Sequence, residues 1–296
     1  MRQLRLAILA TALAIPCFAH ARDNAIADVA RQWTDQVASI SAGDDTAARG
    51  KAIQQRLDSL GLKWREEAFT QDKEQGRNIV ADLGGPEGAP LLLIGAHYDR
   101  VAQGRGATDN ASGSAAVLEL AAALKARPLA KHRVAVAFWD LEEKGLLGSK
   151  AHVADKDREK PALYVNFDVF GWGETLWMMV PPAVVPLAVE SASAAKSNGM
   201  PLSAGDKYPP TDHRAFLEAK LPAVSFSLTD ADEIKGVLRM YEQLYAKQRP
   251  TNPPKIMQVI HSDRDTVAEL DPTNVPRALK TIEDALRAWD AGTSHP

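Results

Sequence analysis

Short apolar segments of strand length alternate with helix-like stretches along most of this 296-residue chain, and this alternation constrains the fold most strongly. The apolar segments lie at residues 91–95, 134–139, 164–168 and 223–226, and the helix-like stretches at 112–127, 146–153, 184–197 and 272–291. An apolar run without polar interruption indicates a strand that is buried on both faces. Strands that alternate with helices predict a single α/β domain with a central mixed, largely parallel sheet flanked by helices.

The part of the chain before this alternation has a different pattern. Apolar residues recur at helical spacing over residues 24–60, and strand-like patterns follow at 64–69 and 78–83. We therefore expect residues 22–77 to form a helical segment and a first strand, packed on a main domain at 78–296. Within that domain, a helix-like stretch and a proline-rich sequence predict an inserted helical segment around residues 229–258.

The first 21 residues have the pattern of a secretory signal peptide. Arg2 and Arg5 precede an apolar run at 6–18, and small residues precede a cleavage site expected after Ala21. The run is shorter than the roughly 20 residues that span a bilayer as a helix. We therefore expect a periplasmic or secreted mature protein. Cys17 lies near the end of the run, so a lipid-anchored form is the less favoured alternative.

The charge distribution argues against two classes of partner. The formal net charge is −3, and the charged residues form no basic cluster that would attract nucleic acid or a membrane surface. We expect neither nucleic acid nor a membrane as a partner, and the sequence leaves the oligomeric state open.

Five polar motifs follow the predicted strands or lie in the loops between them. They are GAHYD at 95–99, GATDNASG at 106–113, WDLEEKG at 139–145, NFD at 166–168 and IHSDRDT at 260–266. Together they offer two histidines, several carboxylates and one additional glutamate, which is the donor set that two adjacent divalent cations and a general base require. Ligands of α/β sheets bind beyond the carboxyl ends of the strands, where most of these motifs are expected.

Each motif also has a structural explanation when it is taken alone. Asp109 could simply start a helix, and the adjacent Glu142 and Glu143 could lie on a surface loop. The occurrence of all five motifs in one order favours the metal site. Residues two apart on an extended segment face the same way, so Asp99 is expected to accept the free ring N–H of His97 as an outer partner. Asp265 is expected to orient the loop that carries the second histidine.

The motifs resemble those of the co-catalytic double-zinc aminopeptidases of metallopeptidase family M28, which includes bacterial leucyl aminopeptidase and is related to glutamate carboxypeptidase II and the transferrin receptor. The resemblance covers about residues 78–290 and is closest over 91–171, 206–228 and 259–272. It implies a zinc-exopeptidase fold, peptide substrates and two zinc ions, with cobalt or manganese as alternative metals.

The resemblance also implies roles for individual residues. By this resemblance, His97 and Asp168 would bind one zinc ion, and Glu143 and His261 would bind the other. Asp109 would bridge the two ions. Glu142 would be the general base, and Tyr208 of the segment YPPTDHRAF would hydrogen-bond the developing oxyanion. The family often has a cis peptide after the bridging aspartate, so the bond between Asp109 and Asn110 is expected to be cis.

The expected function is therefore that of a secreted or periplasmic zinc-dependent exopeptidase, in the first place an aminopeptidase. A carboxypeptidase or dipeptidase of the same family is one alternative, and it would need arginine or lysine in the pocket. A glutaminyl cyclase with a single zinc ion is another, and it would need no second ligand set. A binding protein without activity would be expected to have lost some of the ligands, and all are present.

Overall fold

Within residues 15–292, which the computed structural model describes, eight strands form one mixed sheet. The strands are β1 (Lys63–Gln71), β2 (Glu74–Gly84), β3 (Leu91–His97), β4 (Arg133–Trp139), β5 (Leu163–Phe167), β6 (Thr175–Met179), β7 (Leu202–Gly205) and β8 (Ala223–Thr229). Their order across the sheet is β1-β2-β4-β3-β5-β8-β6-β7. This arrangement confirms the predicted fold class.

The four central strands, β4, β3, β5 and β8, are parallel to one another. The antiparallel pairs are β1 with β2, β2 with β4, and β6 with β8. All residues of β3, β5 and β8 are buried, as their unbroken apolar sequences predict. Because the central strands are parallel, their carboxyl ends lie along one edge of the sheet.

Strands β6 and β7 were not predicted from the sequence. These strands have five and four residues, and so few residues do not establish a periodicity. They extend the sheet beyond β8, where β7 forms the edge strand.

Helices cover both faces of the sheet. They are α1 (Ile15–Ser41), α2 (Thr46–Ser59), α3 (Ser112–Ala126), α4 (Leu147–Ala154), α5 (Val185–Asn198), α6 (His213–Glu218), α7 (Ala231–Tyr245), α8 (Lys255–Val259) and α9 (Val275–Ala291). The stretch predicted as helical over residues 24–60 is thus divided into α1 and α2. Asp45 causes the second helix to begin, because its carboxylate caps α2 by accepting a hydrogen bond of 2.8 Å from the N–H of Ala48.

The N-terminal helices share the core of the sheet. Trp33, Val37 and Ile40 of α1 are buried in the same apolar cluster as the central strands, and α1 packs against α3 and α9. On the other face, α4 packs against α6.

Most of the predicted signal peptide, residues 1–14, lies outside the described residues, and residues 15–21 belong to α1. The signal peptide and its cleavage site therefore stay predictions. Over the part of the chain that the structure describes, no helix has both the length and the apolar character needed to cross a membrane.

Candidate metal centre

Four of the predicted site residues lie at the carboxyl edge of the parallel strands. His97 is the last residue of β3, and Asp168 directly follows β5. Glu142 and Glu143 lie in the loop after β4, and β4 pairs with β3 so that Trp139 is opposite His97. The parallel order of these three strands brings the side chains to one place.

Asp109 comes from a short turn, Ala107–Ala111, between β3 and α3, and its own backbone is not helical. The peptide between Asp109 and Asn110 is cis, as the resemblance implied. The Asn110 side chain fixes this turn to the end of β5, because its amide donates to the carbonyl of Phe167 at 2.9 Å. Its Oδ1 accepts from the N–H of Gly113 at 3.0 Å, and a Cβ at Gly113 would lie only 2.3 Å from that oxygen. Glycine is therefore required where α3 begins.

His261 reaches the same place from the C-terminal part of the chain. It lies two residues beyond the end of α8, and its backbone is left-handed with φ of 59°. Its side chain is about half exposed, at 51%. Nε2 of His261 lies 3.1 Å from Oδ2 of Asp109 and 3.1 Å from Oε2 of Glu143.

The second group of donors surrounds His97. Nε2 of His97 lies 3.1 Å from Oδ1 of Asp109 and 3.6 Å from Oδ1 of Asp168. The two carboxylate oxygens of Asp109 therefore face different histidines. The structure thus groups the five predicted ligands into two adjacent sets that share one carboxylate.

The donors in both sets are suited to divalent cations. Each set combines imidazole with carboxylate, the mixture that zinc binds, and the candidate ligand atoms of a set lie within 4.8 Å of one another. Oε1 of Glu143 and Oδ1 of Asp168 are buried without a hydrogen-bond partner among the described residues. A buried carboxylate oxygen without a partner is costly, and a bound cation would supply that partner.

The charges of the cluster act strongly on one another. Burial would lower the pKa of His97, but the negative charge of Glu142 and the contacts with Asp109 and Asp168 outweigh burial and raise it well above its usual value. Burial raises the pKa of Glu142 well above its usual value, and the nearby carboxylates add to this effect. The cluster therefore attracts positive charge, which protons or metal ions can supply.

Asp99 and Asp265 belong to neither donor set, and they bind the backbone of the segments that carry the candidate ligands. Asp99 accepts hydrogen bonds from the backbone N–H groups of Glu142 at 3.1 Å and Glu143 at 3.2 Å. Its Oδ1 also lies 3.3 Å from Nδ1 of His97, the atom that the sequence analysis expected it to contact. Asp99 thus connects the loop after β3 to the loop after β4.

Asp265 lies in the same loop as His261 and reaches the turn that carries Asp109. Its carboxylate accepts from the N–H groups of Thr108 at 2.6 Å and Asp109 at 3.2 Å. It therefore connects the loop of His261 to the turn of Asp109. The sequence could not show this, because 157 residues separate Asp265 from Thr108.

Asp212 was missed as a candidate for the site. It directly precedes α6, where an aspartate commonly caps the helix, but its side chain makes no capping hydrogen bond. The residue is fully buried, and burial raises the pKa of its carboxyl to about 7. Its charge also contributes to the raised pKa of Glu142. An acidic residue at a helix start has so common a structural role that the sequence offered no signal for this one.

An apolar pocket of about 140 Å³ opens onto the metal centre. Its apolar wall is formed largely by side chains from β6, α7, α8 and the segment after α8: Trp177, Val237, Tyr241, Ile256, Met257 and Ile260. Helices α7 and α8 belong to the segment predicted as an insertion around residues 229–258. Tyr208 also lines the pocket, and its hydroxyl hydrogen-bonds Ser227, which in turn donates to the carbonyl of Asp168.

Comparison with known proteins identifies the family. Residues 78–286 match the model of Peptidase family M28. The chain belongs to this family.

Leupeptin-inactivating enzyme 1 from Streptomyces exfoliatus is 27% identical over 289 residues, which cover 88% of this chain and 61% of that protein. An aminopeptidase from Pseudomonas aeruginosa is 40% identical over 102 residues, which cover 33% of this chain and 19% of that protein. The chain therefore spans less than two thirds of the length of these relatives.

Solved structures share the fold. The LapA aminopeptidase of Legionella pneumophila has a TM-score of 0.66 at 16% identity, covering 97% of this chain and 79% of that one. Porphyromonas gingivalis glutaminyl cyclase has a TM-score of 0.68 at 18% identity, covering 88% of this chain and 98% of that one. At such identities the likeness shows the architecture, and the chemistry has to be argued from the residues of the site.

Proposed function

We propose that this protein is a periplasmic or secreted exopeptidase that depends on two zinc ions and removes residues from the amino terminus of peptides. The observation that supports this most directly is that the two oxygens of Asp109 each lie 3.1 Å from a different histidine, His97 and His261. Asp168 would complete the His97 set, and Glu143 the His261 set. Family membership and the names of several relatives as aminopeptidases support the same function.

Glu142 would act as the general base. Two zinc ions held by the five ligands would supply an acidified water and polarise the carbonyl of the scissile bond. Glu142 is a ligand of neither set, and its Oε2 lies 4.0 Å from Nε2 of His97. Its carboxylate would take a proton from the water and then deliver it to the leaving amine.

Tyr208 would stabilise the oxyanion that develops on the carbonyl. Its ring is packed against Trp177, with ring centroids 4.5 Å apart, and this contact fixes its position in the pocket wall. Ser227 donates its own proton to the carbonyl of Asp168 and therefore accepts from the Tyr208 hydroxyl. The hydroxyl would exchange this acceptor for the oxyanion, which accepts a hydrogen bond more strongly because it is charged.

The composition of the pocket favours an aminopeptidase over the alternatives. None of the described residues that line it is arginine or lysine, so it offers no guanidinium or ammonium group to a substrate carboxylate. Four carboxylates border it instead, and a free amino terminus would lie against them or against a metal ion that they hold: Asp109, Glu142, Glu143 and Asp168. The complete second donor set is more than a single-zinc cyclase needs. The apolar wall would accept a large apolar side chain at the first residue of the peptide.

Glu142→Gln tests the mechanism, and the matched control is Glu87→Gln in an exposed loop before β3. We expect both variants to keep two zinc ions per chain, while the turnover of aminoacyl-nitroanilides falls at least about 100-fold for Glu142→Gln alone. Full activity of Glu142→Gln would remove the residue from this role.

A substrate panel tests the reaction itself. Aminoacyl-nitroanilides and peptides with blocked amino termini would be compared, each with and without a chelator. We expect cleavage of substrates with a free amino terminus only, and its loss when the metal is removed. Cleavage of the blocked peptides would favour a carboxypeptidase. One zinc ion per chain together with pyroglutamate formation would favour a cyclase.

A further inference from the structure

Arg49 is a fully buried arginine in α2, in the part of the chain that precedes the family match. Among residues 26–292, whose side chains the structure describes, no carboxylate forms an ion pair with it. Its three nitrogens donate instead to backbone carbonyls: Nε to Tyr98 at 2.5 Å, Nη1 to Arg105 at 2.8 Å and Nη2 to Gly106 at 3.0 Å. One guanidinium therefore connects two separate places in the chain.

Both places belong to the metal centre. Tyr98 lies between the ligand His97 and its outer partner Asp99. Gly106 directly precedes the turn that carries Asp109. A guanidinium is a planar, rigid fork of donors, so these hydrogen bonds fix the distance and the orientation between the two backbone segments.

Two arginines between β3 and the Asp109 turn also donate to the backbone at the end of α1 and just after it. Nε of Arg105 donates to the carbonyl of Ser41 at 2.9 Å, and Nη2 of Arg100 donates to the carbonyl of Asp44 at 2.7 Å. The chain from α1 to α2 and the chain between β3 and the Asp109 turn thus hold each other. Gly50 permits the close approach, because a Cβ there would lie 3.1 Å from the ring of Tyr98.

Burying a charged side chain at this position costs free energy, and an apolar side chain could fill the same space. Burial lowers the pKa of Arg49 to about 10, and the negative charges of Asp99, Asp265 and Asp109 act in the opposite direction. Arg49→Met would leave three carbonyls without their donors and should lower stability whatever the role of the residue. A purely structural role of Arg49 therefore predicts that the variant is less stable but that its folded form binds zinc with unchanged affinity.

We infer that Arg49 is a positioning residue of the metal centre, which holds the backbone beside His97 and the backbone before Asp109 at the separation that their shared zinc site needs. The inference depends on the proposed metal centre. It extends the functional part of the chain into the N-terminal helices, because α2 would then be needed for the geometry of the ligands as well as for the core.

The test compares Arg49→Met and Arg49→Lys with Arg56→Met in the full chain. Arg56 is a suitable control because it lies on the same helix and contacts Glu119 of α3 at 3.6 Å instead of the ligand loops. Zinc affinity would be measured by competition with a chromophoric chelator, and folding by circular dichroism and thermal unfolding. We expect zinc to bind about 10- to 100-fold more weakly to Arg49→Met, with an intermediate loss for Arg49→Lys and none for Arg56→Met. At saturating zinc, kcat should fall while KM stays nearly constant.

Three results would overturn the inference. They are a folded Arg49→Met variant with wild-type zinc affinity, an equal loss of affinity in Arg56→Met, and the failure of both Arg49 variants to fold, which would make Arg49 a general folding residue. A wild-type chain that binds no zinc would refute the metal centre itself, and this outcome is separate from any result on the variants.

Discussion

Asp109 should be needed for both zinc ions, whereas a ligand that belongs to one set should be needed for one. The reason is that each oxygen of Asp109 faces a different histidine, while Asp168 lies only in the His97 set and His261 only in the other. We therefore expect two zinc ions per chain in the wild type, one in Asp168→Ala or His261→Ala, and none in Asp109→Ala.

The stabilisation of the folded state by zinc increases with the number of sites that are filled. A site stabilises the folded state by about 2.7 kcal/mol when free zinc is 100 times its Kd, so two sites contribute about 5.4 kcal/mol. For a domain of this size, 1 kcal/mol changes Tm by roughly 2–4 °C. Zinc should thus raise the Tm of the wild type by roughly 10–20 °C, that of Asp168→Ala by about half as much, and that of Asp109→Ala hardly at all.

Differential scanning fluorimetry with zinc or with a chelator would measure these shifts, and elemental analysis would count the ions. Asp157→Ala, at an exposed position after α4, is the control and should behave as the wild type. An Asp109→Ala variant that keeps one zinc ion with wild-type affinity would show that the two sets do not share this carboxylate, and the two-site reasoning would fail.

Two further predictions concern stability. Trp33 is fully buried and donates to the carbonyl of Ser112 at 3.1 Å, so Trp33→Ala should lower the free energy of unfolding in urea by about 3–5 kcal/mol; a similar loss for Ile26→Ala, at an exposed position of the same helix, would contradict this explanation. Burial acts to raise the pKa of Asp290, but hydrogen bonds from His132 and two backbone amides outweigh it and lower this pKa below 3.8. The resulting stabilisation is complete above the usual carboxyl pKa and is lost as pH falls through the lower folded value, so the difference in urea midpoint between wild type and Asp290→Asn should shrink as the pH falls below the usual carboxyl pKa. A difference that is constant with pH would show that this interaction does not titrate as proposed.

The central strands and their ends were predictable because the relevant information is local. The apolar segments predicted at 91–95 and 134–139 correspond to Leu91–His97 and Arg133–Trp139 in the structure, and the helix predicted to start at Ser112 starts there. A strand buried on both faces needs an unbroken apolar sequence, and the polar residue that follows it marks its end. The same local pattern indicated the motifs that carry His97 and Asp168.

Elements that depend on their surroundings were not predictable. Strands β6 and β7 are too short to show a period, and they form because β8 offers a partner on that side. The role of Asp212 depends on its burial beside Glu142, and the contacts of Asp265 depend on a turn 157 residues away. In each case the residue type fits a common local role, and only the packing of distant segments gives it another.

The amino-acid sequence by itself determined the donor atoms, their order along the chain and the strands that end beside them, since these follow from composition and from periods of a few residues. The tertiary structure alone decided that Asp109 turns one oxygen to His97 and the other to His261, and that Arg49 reaches the backbone beside His97 and before Asp109. The physical reason is that His261 lies 152 residues from Asp109, and Arg49 lies 49 residues from Tyr98. The geometry of these contacts depends on how the helices and the sheet pack, and no local pattern encodes it.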